Sequence, residues 1–212
     1  MNHTLLLIRH AETPYNVDPT YIGGQSNWLP LTETGETQPR HAAEYVRAEY
    51  EGQVVCWDTS PAVRAVRTGE MILTELGIDL QSQLDARLLE MSQGEAEGKR
   101  RSLIWTRQQR ERAAQQGWEF RLRGGESAND VARRMFGYLS EWAQRERQPG
   151  VTIATTHGMA IRWLIGQLQG MSHFESWQTD VPNCSVTTVS LEDGDVIVKE
   201  VARDVVREGT SA

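Results

Sequence analysis

The chain has 212 residues, of which 39% are hydrophobic and 24% charged, and this balance is typical of one soluble globular domain. The net charge of −7 argues against nucleic acid as the main partner, because nucleic-acid binders usually carry a broad positive surface. Cys56 and Cys184 form no CxxC pair, so the sequence indicates neither a zinc cluster nor a redox motif. The apolar run 5–8 is too short for a membrane helix or a signal peptide, so we expect a cytoplasmic protein without a membrane partner.

The first half of the chain alternates strand-length apolar runs with amphipathic helical segments. The predicted strands are 4–8 and 53–57, with a third short strand or extended piece at 84–88, and the predicted helices are 32–50 and 60–76. Pro39 should either begin the regular part of the first helix or kink it. Ser60 followed by Pro61 predicts the start of the second helix, and Gly77 predicts its end.

The second half begins with helical segments and ends with a hairpin. The predicted elements are a helical segment at 100–116, a helix from Ser127 to about 147, a strand at 151–156, a helix to about 168, and strands at 186–191 and 196–201. Asp193-Gly194 predicts the tight turn between the last two strands. The order of elements predicts an α/β fold with a mainly parallel sheet and helices on both faces, formed by residues 1–206. Residues 207–212 are expected to fray.

Two histidines occupy equivalent places in this pattern. His10 and His157 each directly follow an apolar strand and precede a turn. Because ligands bind at the carboxyl ends of parallel strands, one sheet edge can hold both imidazoles. A lone histidine is more often structural, but two at matched strand ends favour a site.

Charged residues complete a candidate site for a phosphate. Arg9 precedes His10, and Arg64 lies near a helix N-terminus, where backbone N–H groups also favour phosphate. Positive neighbours disfavour the imidazolium, so they keep His10 neutral and nucleophilic. Glu90, at the end of the third predicted strand, can protonate a leaving alcohol and then activate water.

Five segments, in this order along the chain, carry a specific resemblance. They are Arg9-His10-Ala11-Glu12-Thr13-x-x-Asn16, Thr59-Ser60-Pro61-x-x-Arg64-Ala65-x-x-Thr68, Leu89-Glu90 followed by Gly94 and Glu97-Gly98, Gly125-Glu126-Ser127, and Thr156-His157-Gly158-x-x-Ile161-Arg162. Together they resemble the signature of the histidine phosphatase superfamily, the phosphoglycerate mutase-like proteins. Asn183-Cys184-Ser185-Val186 is similar to the last core strand of that family. The resemblance spans residues 4–190 and implies a three-layer α/β/α sandwich.

The resemblance implies a phosphomonoester hydrolase that acts on a small phosphorylated metabolite. It makes His10 the nucleophile, which forms a phosphohistidine, and Glu90 the proton donor and later the base. By the same resemblance, the phosphoryl group is held by Arg9, Asn16, Arg64 and His157. Further contacts with the substrate are implied for Thr13, Gln25 and Gly158. It implies no metal and no other cofactor, because the arginines and His157 supply the charge that Mg²⁺ supplies elsewhere.

The sequence departs from the family pattern in three places. Ala11 stands where the family usually has Gly, and it would cost ~1 kcal/mol if the position needs a positive φ. The segment around Gln25 is longer or shifted. Met91-Ser92-Gln93-Gly94 replaces the Arg and Tyr-Gly stretch of the mutases, and this favours hydrolysis over transfer between hydroxyls.

Two alternatives of function remain, a phosphoglycerate mutase of the same family and a phosphate-binding module without turnover. The complete set of site residues argues against the binding module. A P-loop is excluded because the Gly94 to Lys99 spacing is one residue short and Arg100 stands where Ser or Thr must bind Mg²⁺. A zinc hydrolase is excluded because no HExxH motif occurs.

Residues 99–123, here called the basic insert, carry eight basic residues and two acidic ones, a net charge of +6. They lie between the Glu90 loop and Gly125-Glu126-Ser127. The basic insert can therefore fold over the site as a lid, or it can be a solvated helix whose arginines pair with acids elsewhere. A lid would favour substrates with a second anionic group.

Overall fold

The structure is a computed structural model that describes residues 3–145 and 149–210. In these ranges the strands are β1 His3–Arg9, β2 Val54–Thr59, β3 Gln83–Leu84, β4 Gly150–Thr156, β5 Val186–Glu192 and β6 Asp195–Arg203. They form one sheet in the order β3-β2-β4-β1-β5-β6. The β3-β2, β2-β4 and β4-β1 pairs are parallel, and β5 runs antiparallel to both of its neighbours. The prediction of a mainly parallel sheet is confirmed.

Helices cover both faces of the sheet. In the described ranges they are α1 Pro14–Val17, α2 Pro39–Tyr50, α3 Val63–Leu76, α4 Arg101–Ile104, α5 Arg107–Gln116, α6 Ala128–Gln144, α7 Gly158–Leu168, α8 His173–Gln178 and α9 Val205–Gly209. Pro39 begins the regular part of α2, where its missing N–H leaves no hydrogen bond unmade. None of these helices combines the length and apolar character that crossing a membrane requires.

The three layers follow from the alternation of side chains along β1. Leu5 and Leu7 belong to the core cluster that also contains residues of α6 and α7. Leu6 and Ile8 belong to a second cluster on the opposite face, with residues of α2, α3 and α9. All four leucine and isoleucine side chains are fully buried, as expected for a strand covered on both faces.

Gly69 sets the distance between α3 and the sheet. A Cβ built at this glycine would lie 2.4 Å from the Trp57 ring on β2. The absence of a side chain therefore lets α3 approach β2 closely. Because α3 also carries Arg64, this contact helps to position the candidate site.

The short strand or extended piece predicted at 84–88 does not continue to residue 88. Strand β3 covers only Gln83–Leu84, and a 3₁₀ turn follows at Ala86–Leu88. The Asp85 carboxylate accepts a hydrogen bond from the Arg87 backbone N–H at 2.8 Å, and it also pairs with the Arg87 guanidinium. Such a local side-chain bond competes with strand pairing, so Glu90 follows a turn rather than a strand.

The predicted start of α3 is also wrong by about two residues. Ala62 is the N-cap residue, and the helix begins at Val63. The Ser60 hydroxyl contacts His157 instead of capping the helix. At the other end the prediction is right, because Gly77 takes the left-handed conformation at φ 70°.

The ends of two predicted segments differ from expectation. Helix α6 begins at the predicted Ser127 cap but ends at Gln144, and residues 146–148 lie outside the described ranges. The tail was expected to fray from residue 207, yet α9 extends to Gly209 and buries Val205. Asp204 accepts a hydrogen bond from the Arg207 N–H at 3.1 Å, which caps this helix. Residues 211–212 lie outside the described ranges.

The basic insert folds onto the domain rather than extending into solvent. Its predicted single helix is divided into α4 and α5, and Thr106 caps the second by accepting from the Gln109 N–H at 3.3 Å. Phe120 and Leu122 form a third apolar cluster with Ile22, against which Trp105 packs. This cluster joins the basic insert to the loop that follows α1.

Candidate active site

The site begins where β1 and β4 end side by side. Arg9 is paired with Thr156 in the sheet, and the His10 N–H donates to the Thr156 carbonyl at 2.9 Å. His10 and His157 therefore leave neighbouring parallel strands at the same level. Their ring centroids lie 5.1 Å apart, and both rings are buried.

His10 is held as a neutral imidazole in one tautomer. Its Nδ1 lies 2.7 Å from the Ala11 carbonyl oxygen, which can only accept, so Nδ1 carries the proton and Nε2 keeps its lone pair. Burial holds the pKa of His10 well below its usual value, and the charges of Arg64 and Arg9 lower it further. A neutral imidazole with a free lone pair is a nucleophile.

His157 is held by a serine that sequence reasoning assigned to a helix cap. Its Nε2 lies 2.8 Å from the Ser60 hydroxyl, while its Nδ1 is buried without a hydrogen-bond partner in the described parts of the chain. Burial holds the pKa of His157 well below its usual value, and electrostatic interactions with Arg64 and His10 lower this pKa further. The residue contacts His10 but does not line the cavity described below.

Two buried arginines lie at the same edge. Arg64 donates to the carbonyls of Ser26 at 2.8 Å and Gly24 at 3.2 Å, and Arg9 donates to the Val181 carbonyl. The Nε atom of Arg9 is buried and has no partner within the described residues. Burial lowers the pKa of both arginines, but guanidinium groups stay protonated in proteins. Two neighbouring guanidinium groups with limited access to water favour an anion at this edge.

Glu90 faces the same cavity, and other residues fix its backbone. Its carboxylate accepts from the backbone N–H groups of Met91 at 2.8 Å and Met159 at 3.2 Å. The side chains of Gln25 and Arg134 donate to the Glu90 carbonyl at 2.9 and 3.1 Å. Gln25 is therefore a support for Glu90, and it does not line the cavity.

Asn16 and Thr13 line the cavity beside His10. The Asn16 Oδ1 accepts from the Thr13 N–H at 2.9 Å and from the Asn183 amide at 3.2 Å, so the Asn16 NH₂ group remains available as a donor. Asn183 also donates to the His10 carbonyl at 2.9 Å. Sequence reasoning placed Asn183 only in a strand motif and missed this supporting role.

Ala11 and Gly158 pack beside the site without facing the cavity. Ala11 is not among the residues with a positive φ, so replacing the family's glycine by alanine causes no backbone strain here. Its N–H donates to the Thr68 hydroxyl at 3.0 Å. A Cβ at Gly158 would lie 3.4 Å from the Arg9 Nε, so this glycine leaves room for the guanidinium.

The cavity is large, with a volume of about 1140 Å³. Arg9, His10, Arg64 and Glu90 line one part of it, and the basic insert lines another through Arg100, Arg101, Trp105 and Arg110. The basic insert therefore lines the same cavity as the candidate site. Arg162 also lines the cavity, and sequence reasoning had used it only as part of a motif. Within the described ranges, no cluster of His, Cys, Asp and Glu side chains could hold a metal ion.

Known proteins are similar to this chain in sequence and in fold. A sequence profile of the histidine phosphatase superfamily (branch 1) matches residues 5–204. A probable phosphoglycerate mutase GpmB from Cronobacter sakazakii is 32% identical over 196 residues, which cover 88% of this chain and 84% of the relative.

Two solved structures agree with this sequence match. Bacillus stearothermophilus YhfR superimposes with a TM-score of 0.82 and 25% identity, covering 96% of this chain and 99% of its own. A mycobacterial glucosyl-3-phosphoglycerate phosphatase in complex with VO3 superimposes with a TM-score of 0.78 and 25% identity, covering 95% of this chain and 99% of its own. The chain therefore belongs to the histidine phosphatase superfamily (branch 1), the family that its five motifs predict.

Proposed function

We propose that this protein is a phosphomonoester hydrolase that forms a phosphohistidine on His10. One observation carries the proposal. His10 has its Nδ1 proton committed to the Ala11 carbonyl and its Nε2 free, beside Arg9 and Arg64, in the cavity that also holds Glu90. A nucleophile, an anion site and a carboxyl group in one cavity are the parts that phosphoryl transfer requires.

In the first step, the Nε2 lone pair of His10 attacks the phosphorus, and the bond between phosphorus and the ester oxygen breaks. The protonated carboxyl group of Glu90 gives its proton to the leaving alkoxide, which departs as an alcohol. The Arg9 Nε–H, which has no partner in the described residues, hydrogen-bonds a phosphoryl oxygen as negative charge develops on it. His157 acts from behind His10, whose ring it contacts.

In the second step, the Glu90 carboxylate takes a proton from water, and the resulting hydroxide attacks the phosphorus. The bond between phosphorus and Nε2 breaks, inorganic phosphate leaves, and His10 returns to its neutral form. The carbonyl of Ala11 fixes the ring through both steps, so little reorganisation is needed. Asn16 offers its amide NH₂ as a further donor to the phosphoryl group.

A phosphoglycerate mutase is the second candidate, because the GpmB relative carries that name. Met91-Ser92-Gln93-Gly94 in place of the mutase stretch favours hydrolysis instead. Measuring phosphate release and interconversion of 2- and 3-phosphoglycerate in one reaction separates the two activities. A phosphate-binding module would show neither.

The basic insert supports a preference for a second anionic group on the substrate. Arg107, Arg121 and Arg123 pair with carboxylates and do not line the cavity. The cavity-lining arginines of the insert contact neutral groups instead. Arg100 lies over the Tyr21 ring, Arg101 donates to the Pro19 carbonyl, and Arg110 donates to the Trp105 carbonyl. None of these three arginines forms a salt bridge within the described residues, although the charge of Arg100 also acts on the Asp18 carboxylate. Their positive charge therefore contributes to the electrostatics of the cavity.

The first prediction concerns the covalent intermediate. His10→Ala should lower kcat/KM for p-nitrophenyl phosphate by about 10⁴-fold or more, because the nucleophile is lost. Rapid-quench mass spectrometry of the native protein should find an acid-labile phosphate on His10. His41→Gln, a change on α2 outside the cavity, is the matched control and should stay active. Normal turnover by His10→Ala would contradict the mechanism.

The second prediction concerns Glu90. Glu90→Gln should reduce hydrolysis of an alkyl phosphate by about 10²-fold or more, because an alkoxide needs a proton to leave. p-Nitrophenolate needs little protonation, so the loss on p-nitrophenyl phosphate should be much smaller. Glu95→Gln, at an exposed position paired with Arg123, is the control. Equal losses on both esters would indicate that Glu90 only positions the substrate.

The third prediction is that turnover needs no divalent metal ion. Arginine and histidine donors supply the positive charge at the phosphoryl group, so activity should persist after dialysis against excess EDTA. A metal-dependent phosphatase treated in parallel checks that chelation is complete. Loss of activity that Mg²⁺ or Zn²⁺ restores would refute this prediction.

The fourth prediction compares two triple variants with the same change of charge. Replacing Arg100, Arg101 and Arg110 by Gln should lower the kcat/KM ratio of 3-phosphoglycerate to glycerol 3-phosphate by about fivefold or more, since the two esters differ in a carboxylate. Replacing Arg107, Arg121 and Arg123 by Gln should change the ratio little. In the native protein the ratio should fall at 1 M salt, where the Debye length is ~3 Å. Equal effects of the two variants would assign the preference to net charge alone.

A further inference from the structure

The cavity is much larger than a phosphoryl group requires. Its volume of about 1140 Å³ exceeds the roughly 300–1,000 Å³ of pockets that hold drug-sized ligands. Beyond the buried cations, several aromatic side chains line its walls. They are Tyr15, Tyr21, Trp105, Phe120, Trp163, Phe174 and Trp177.

Neighbouring rings hold these aromatic walls in place. Tyr15 and Tyr21 stack with centroids 5.8 Å apart, and Trp177 stacks on the buried Trp163 at 6.0 Å. The Arg162 guanidinium lies 5.4 Å from the Trp177 ring centroid. Rings fixed in this way lose little conformational entropy when a ligand packs against them.

Helix α8 presents two aromatic residues to the cavity that are not buried in the fold. Trp177 is 45% exposed and Phe174 is 66% exposed. Exposure alone indicates little, because Trp28 is 68% exposed and does not line the cavity. Trp177 and Phe174 differ from Trp28 because they line the same cavity as His10 and Arg64.

We infer that the substrate's leaving alcohol carries an aromatic or extended apolar body, which packs against Trp177 and Phe174. The inference rests on the proposed hydrolase function and specifies its substrate class. The phosphoryl group occupies the cationic end beside Arg9 and Arg64, and the apolar body extends from the ester oxygen toward α8. Trp177 and Phe174 are specificity-determining residues in this assignment and take no part in the chemical steps.

Binding without turnover tests the inference directly. Phosphonates are not hydrolysed, so calorimetry can compare 3-phenylpropylphosphonate with propylphosphonate on the intact protein. The phenyl ring should tighten Kd by about tenfold or more, because it buries apolar surface. Equal Kd values for the two phosphonates, or no binding of either, would overturn the inference.

Single variants then locate the apolar contact. Trp177→Ala should reduce the preference for the phenyl compound to about twofold or less, and Phe174→Ala, at the more exposed position, should reduce it in the same direction. Trp28→Ala removes an equally large exposed ring outside the cavity and should retain the full preference. A preference that survives both α8 changes would refute the assignment of this wall.

Turnover separates this inference from the proposed function. 3-Phenylpropyl phosphate and propyl phosphate release similar alkoxides, so a higher kcat/KM for the phenyl ester reports packing rather than leaving-group chemistry. The native protein should favour the phenyl ester by about tenfold. If the phosphonates show the preference but neither ester is hydrolysed, the hydrolase proposal fails while the apolar subsite stands. If both esters are hydrolysed at equal kcat/KM, the subsite fails and the hydrolase proposal stands.

Discussion

The parallel pairing of β1 with β4 is the constraint on which the site depends. The register sets Arg9 opposite Thr156, and the next residue of each strand is a histidine. A slip of one residue would move the two imidazoles about 3.3 Å relative to each other. Because β1 is buried on both faces, its side chains interlock with helices above and below the sheet. The same packing that stabilises the core therefore fixes the spacing of His10 and His157.

Burial also determines the electrostatics of this edge. Two guanidinium groups and two imidazoles lie within a few residues of the strand ends, and all are largely removed from water. The imidazoles give up their protons because desolvation and the nearby guanidinium charges both disfavour the imidazolium. The arginines cannot do so, and they stay charged. The outcome is a pair of charged guanidinium groups beside two neutral imidazoles.

The sequence predicted the layers, and which motif residues lie together, better than it predicted where elements end. Unbroken apolar runs identified β1 and β4 because both strands are buried on two faces, and the five motifs predicted that His10, Arg64 and Glu90 lie together. The turn within residues 84–88 was missed because the bond between Asp85 and the Arg87 N–H is a local preference that the apolar pattern does not reveal. The supporting roles of Gln25, Ser60 and Asn183 depend on distant chain segments, and no local pattern encodes such contacts.

The loop at residues 22–26 contacts both parts of the cavity. Its Gly24 and Ser26 carbonyls hold Arg64, its Gln25 side chain holds Glu90, and Ile22 pairs with the backbone at the start of the basic insert. We therefore expect a substitution that shifts the backbone of the basic insert to disturb the contacts that hold Arg64 and Glu90 as well. Under the proposed function, such a substitution would change the substrate range and the reaction rate together. Transplanting the insert between relatives would require that this loop move with it.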